Sequence, residues 1–71
     1  MKLPRDVNGA QAARALQRLG FLPVRQSGSH LILRKERITV VVPQHKPLKP
    51  GTLKGILEQA EVTIEEFIAQ L

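Results

Sequence analysis

Two histidines are the residues of this chain best suited to moving protons near neutral pH. They are His30, in Gln26-Ser27-Gly28-Ser29-His30-Leu31-Ile32-Leu33, and His45, in Val42-Pro43-Gln44-His45-Lys46. Imidazole as a type titrates at about 6.5, close to working pH, so it serves as either acid or base. His30 stands where a small, hydroxyl-rich turn runs into an apolar stretch. Gly28 leaves room for another backbone or a ligand to approach, because it has no Cβ. Ser27 and Ser29 offer hydroxyls, and the free N–H groups of such a turn accept an anion. Arg25 and Arg34 are near enough in sequence to line the same edge. A set of this kind suits transesterification of an RNA phosphodiester. A base takes the 2′-hydroxyl proton, cations or N–H donors hold the phosphoryl oxygens, and an acid protonates the leaving oxygen. The plain alternative is that a lone histidine at the start of a strand is a surface or capping residue.

His45 follows an apolar run and opens a basic, Pro-rich loop. Three readings stand for it: a second acid or base, a phosphate contact, or an ordinary loop residue, with the last as the default. A zinc site joining the two histidines is not expected. Such sites take three or four protein ligands, and only scattered carboxylates remain to complete one. No cofactor is expected either.

Charge narrows the class of partner. The net charge of the 71 residues is +5, and its distribution is lopsided. Residues 1–54 hold all 11 Lys and Arg against two acids, Asp6 and Glu36, for +9; residues 55–71 hold only Glu58, Glu61, Glu65 and Glu66, for −4. A basic body with an acidic end suits an anionic partner on one side, nucleic acid first among them. Phe21 and Phe67 are the only aromatic residues of the Phe, Tyr and Trp class. Recognition by stacking bases on rings needs several exposed ones, so RNA would be held through phosphates, sugars and shape. The absence of cysteine excludes disulfides and thiolate metal sites and allows a reducing compartment. No apolar run reaches the roughly 20 residues of a membrane span, and the N-terminus lacks a signal-peptide core, so the expected location is the cytoplasm.

The elements that must position these residues follow from periodicity. A chain of this length reads as one domain, 1–71. Asn8 is a good helix N-cap with Gln11 three residues later, and Ala12, Ala15, Leu16 and Leu19 recur at helical spacing before Gly20. A helix is expected over 9–19. Phe21 to Gln26 is extended, with Pro23 marking it as an edge strand. His30–Lys35 and Arg37–Val42 read as strands joined by the tight link Lys35-Glu36, the second rich in β-branched residues. Alternation puts His30, Ile32 and Arg34 on one face and Leu31 and Leu33 on the other, toward the core. Pro43 to Pro50 is a loop. Gly51-Thr52 leads into a helix with Leu53, Ile56, Leu57 and Ala60 on one face. Thr63-Ile64-Glu65-Glu66 caps a final helix with Ile64, Phe67, Ile68 and Leu71 inward. The fold class is therefore α+β, ordered α-β-β-β-α with a short C-terminal helix, and with the helices on one face of a three-stranded antiparallel sheet.

In order and spacing, "LPRDVNGAQAARALQRLGF", "RQSGSHLILRK" and "ITVVVPQHKPLKPGTLKGILEQAEVTIEEF" resemble the HicA family of toxins, the small mRNA interferases of HicA–HicB toxin–antitoxin systems. The likeness runs from Leu3 to Phe67, and its most specific pieces are Gly28-Ser29-His30, Pro43-x-His45 and Leu48-Lys49-Pro50-Gly51-Thr52-Leu53. It implies a double-stranded-RNA-binding-domain-like fold and an endoribonuclease that cuts mRNA without a metal. The catalytic residue implied is His30, in a motif with Gly28 and Ser29. Arg25, Arg34 and Lys46 join those two as expected RNA contacts, and a HicB-like antitoxin is the expected protein partner. The free toxin is expected to be monomeric. The residue that complements His30 stays open among His45, Lys46 and Ser29. A non-catalytic RNA-binding module of the same fold is the alternative.

Overall fold

A computed structural model describes residues 2–71. The order is α1 (Gly9–Arg18), β1 (Leu22–Ser27), β2 (His30–Lys35), β3 (Ile38–Pro43), α2 (Pro50–Ala60) and α3 (Ile64–Ala69). The strands form one antiparallel sheet in the order β1-β2-β3, so the α-β-β-β-α arrangement with a further C-terminal helix is the one expected.

The ends of the helices are closed by local chemistry. At the start of α1 the Asn8 N–H donates to Gln11 Oε1 at 2.8 Å. At its end the Phe21 N–H donates to the Leu16 carbonyl and the Gly20 N–H to the Gln17 carbonyl, both at 3.0 Å. That pair of bonds needs a left-handed residue between helix and strand, and Gly20 supplies it at φ +102°. The second helix starts one residue earlier than its apolar pattern suggests. Pro50 takes the first turn, where its missing N–H costs nothing. Thr63 and Glu66 exchange bonds at the start of α3: Thr63 N–H donates to Glu66 Oε1 at 2.9 Å, and Glu66 N–H to Thr63 Oγ1 at 3.1 Å.

The core lies between the inner sheet face and the helices. Leu33, Val40 and Val42 come from the sheet, Ala12 and Leu16 from α1, and Leu53, Ile56 and Leu57 from α2. Phe21 and Phe67 are both fully buried, so neither ring is available to stack on a base. Leu71 departs from the expected inward stripe: α3 ends at Ala69, and Leu71 beyond it is 49% exposed. No helix among the described residues is long and apolar enough to cross a membrane.

Candidate active site

Strand register decides what surrounds His30. Residues directly opposite in an antiparallel pair point to the same face. His30 pairs with Ser27 on one side and Pro43 on the other; Ile32 pairs with Arg25 and Val41; Arg34 pairs with Leu22 and Thr39. Since Leu33 and Val40 fill the core, these three rows make up the open face. His30 is exposed there, as alternation requires.

Arg25 reaches that face only because of an irregularity. Simple alternation from Leu22 would turn it inward, but the register slips between Pro23 and Arg25, leaving Val24 without a partner. The extra residue flips the parity of everything after it, the usual effect of a bulge. Arg25 therefore lies diagonal to His30, at a spacing of about 7–8 Å for such neighbours. Arg34 stands four residues along the strand, about 13 Å from His30 at the ordinary rise, and its Nε donates to the Glu36 carbonyl at 3.0 Å.

The turn before His30 consists of two residues, Gly28 and Ser29, between the paired Ser27 and His30. Gly28 has φ +59°, at the first central position where tight hairpin turns favour glycine. No atom of the chain lies within 4 Å of where its Cβ would stand. The glycine that permits close approach of backbone is Gly9, which the sequence reading passed over. A Cβ there would sit 2.1 Å from the Pro43 carbonyl oxygen and 2.7 Å from the Gln44 Cα. The start of α1 thus lies directly against the end of β3, and the Gly9 N–H donates to the His45 carbonyl at 2.9 Å.

This packing brings the second histidine into the site. The β2–β3 ladder runs one bond past the strand ends, with the Gln44 N–H donating to the Ser29 carbonyl at 2.7 Å. Continued alternation gives His45 the same face as His30. The two rings lie 6.5 Å apart between centroids, with planes at 67° in an edge-to-face arrangement. His45 is exposed, and the exposed Lys46 follows it. His45 is therefore a neighbour of His30 and not a remote loop residue. The signal was present in the hairpin. The turn is Glu36-Arg37, with Lys35 opposite Ile38 and φ +54° at Glu36. Placing the link at Lys35-Glu36 moves the register by two, puts His30 opposite Val41 and leaves His45 a full row too far away.

Charge is ordered along the strands. At the far end of β2, roughly 17 Å from His30 by strand rise, a cleft of about 330 Å³ is lined by Lys35, Glu36, Glu61 and Glu66 among others. The Glu66 carboxyl is held below its ordinary value of 4.5, chiefly by the hydrogen bond from the Thr63 backbone, then by the Thr63 hydroxyl and more weakly by Lys35. Two acids of the C-terminal segment, Glu61 and Glu66, thus lie away from the histidines. A larger cleft of about 450 Å³, lined by Arg5, Arg14 and Arg18 among others, takes no residue from the histidine pair. Size does not pick out the chemistry here. The described residues hold no group of three or more His, Cys, Asp or Glu side chains placed to share a metal ion.

Over residues 9–62 of its 71, the chain matches the family described as the HicA toxin of bacterial toxin–antitoxin systems. The chain belongs to the HicA toxin family. The matched span includes both histidines, the Gly28-Ser29 turn and the α1 start that clamps His45, and it stops before α3. As a HicA-family toxin, the chain is one member of a toxin–antitoxin pair. No curated protein matches it.

Proposed function

We propose that this HicA-family toxin is an endoribonuclease that cleaves mRNA by transesterification, with His30 as general base, and so blocks translation. His30 takes the proton of the 2′-hydroxyl, the 2′-oxygen attacks the adjacent phosphorus, and the bond to the 5′-oxygen breaks. The products are a 2′,3′-cyclic phosphate and a 5′-hydroxyl. Such a reaction needs no metal, because imidazole handles the proton and cations hold the phosphoryl charge. Arg25 is the nearest guanidinium on the open face, Lys46 adjoins His45, and the Gly28-Ser29 turn offers backbone N–H groups. Arg34 contacts the strand further along. A HicB-like antitoxin silences the toxin in the cytoplasm by covering this face; the free toxin is monomeric.

The observation that carries the reading is an exposed His30 on an open sheet face, beside a second histidine and within a basic body. The test is cleavage of a labelled mRNA by the purified chain. Cleavage should yield 2′,3′-cyclic phosphate ends, persist in EDTA, and vanish when the substrate is made as DNA. Cleavage of the DNA copy, or a requirement for added divalent ion, would count against the mechanism.

A further inference from the structure

Transesterification needs two proton transfers, and His30 accounts for one. The 5′-oxygen leaves as an alkoxide, a poor leaving group unless a proton reaches it as the bond to phosphorus breaks. Four residues near His30 carry a transferable proton: Ser27, directly opposite it, Ser29, Lys46 and His45. A serine hydroxyl is too weak an acid for the task. A lysine ammonium as a type titrates at about 10.4, too high to match a neutral working pH, and serves better as a fixed charge on phosphate.

We infer that His45 is the general acid of this site, donating its proton to the leaving 5′-oxygen while His30 takes the proton of the 2′-hydroxyl. The inference rests on the nuclease reading and goes beyond it in assigning the second half of the acid–base pair. Proton transfer requires about 2.6–3.2 Å between heavy atoms. With 6.5 Å between the imidazole centres, a phosphoryl group lying across the pair would have both rings beside it. One phosphoryl group can therefore be served from both sides, each ring reaching a different oxygen. The planes meet at 67°, so the rings are not stacked face to face.

The backbone holds this spacing. The residues immediately before each histidine are bonded to each other, Gln44 N–H to the Ser29 carbonyl, and the His45 carbonyl is held by the Gly9 N–H. Both bonds use main-chain atoms, so neither depends on the His45 side chain. An exposed histidine that supports no packing, yet has its backbone fixed from two directions, is well suited to a chemical role. Substituting it leaves those supports in place.

The experiment separates the acid from the base. Single-turnover cleavage is measured on an RNA oligonucleotide spanning a cleavage site mapped on a test mRNA. A second oligonucleotide carries sulfur in place of the bridging 5′-oxygen at that site. Sulfur leaves as a thiolate and needs no proton. On the all-oxygen substrate, His45→Ala and His45→Gln should both be slower than the parent by about 10²–10⁴-fold, the usual worth of a positioned acid. On the sulfur substrate the same variants should return to within a few-fold of the parent, while His30→Ala stays slow on both. Parent-like cleavage of the oxygen substrate by His45→Ala overturns the assignment and leaves the nuclease reading standing. An equal deficit on both substrates also overturns it, reducing His45 to a positioning residue. A parent chain that cuts neither substrate removes the nuclease reading and this assignment together. Unchanged amide NMR spectra away from residue 45 establish that the variants are folded.

Discussion

Replacing Gly9 and Gly55 by alanine should move stability in opposite directions, although both glycines lie in helices. At Gly9 the new Cβ would stand 2.1 Å from the Pro43 carbonyl oxygen, 2.7 Å from the Gln44 Cα and 3.0 Å from the Pro43 carbonyl carbon. All three are backbone atoms, so no flexible side chain can swing aside. The start of α1 and the end of β3 must part by roughly 1 Å or more to restore ordinary contact. Overpacking of that kind costs about 1–3 kcal/mol. Parting the segments also strains or breaks the 2.9 Å bond from Gly9 N–H to the His45 carbonyl, worth about 1 kcal/mol. The sum, about 2–4 kcal/mol, is large for a domain of this size, whose whole stability is on the order of 4–11 kcal/mol. At Gly55 nothing lies within 4 Å of the added Cβ, and an exposed helix interior gains about 0.5–1 kcal/mol from the change. Thermal unfolding followed by circular dichroism reads both, at about 4–8 °C per kcal/mol for a domain this small. Gly9→Ala should melt far below the parent and Gly55→Ala a few degrees above it. A Gly9→Ala melting point within 2 °C of the parent would refute the close contact between α1 and β3, and with it the account of how His45 is held.

Phe67 is fully buried although it lies beyond the segment that matches the family; Phe67→Ala should cost about 3–5 kcal/mol in urea unfolding, and a loss under 1 kcal/mol would mean that α3 does not close the core. Glu61 ends α2 with a left-handed backbone, φ +58°, in a position that suits glycine and where an acid opposes the helix dipole. Glu61→Gly should therefore stabilise by about 1 kcal/mol, and a destabilised variant would count against that geometry. Glu66 titrates below its ordinary value because the ionised form accepts from Thr63. The sign follows: its contribution is present above the unfolded value of 4.5 and is lost as pH falls through the lower folded value. Glu66→Gln should flatten the acid limb of the stability profile below about pH 5, and an unchanged limb would show that the Thr63 bond does not hold the carboxyl ionised.

Much of the fold could be read from local chemistry. Gly20 after Leu19, Asn8 with Gln11, and Thr63 with Glu66 each act within a few residues, so their effect on helix ends needs no tertiary information. The inward Leu33 and Val40 and the outward His30 follow from a period of two. What could not be read depends on register. The β2–β3 turn lies one residue later than the strand pattern suggests, at Glu36-Arg37, because Glu36 tolerates φ +54° without being glycine. That single shift decides whether His45 meets His30. The bulge after Pro23 is likewise silent in the residue types, and it alone turns Arg25 to the open face. Gly9 reads as an ordinary residue of the first helical turn; the reason for a glycine there is the β3 carbonyl lying 2.1 Å from its missing Cβ, contributed by a segment more than thirty residues away in sequence.

The central claim is that His30 is the general base of RNA cleavage, on an open face whose cations bind the substrate. The most direct measurement compares the parent chain with His30→Ala on one labelled mRNA, scoring cleavage and binding in the same preparation. His30→Ala should fold as the parent does and retain RNA affinity within a few-fold. It should cut at least about 100-fold more slowly, as expected for loss of a general base. A His30→Ala protein that cuts at the parent rate would contradict the account.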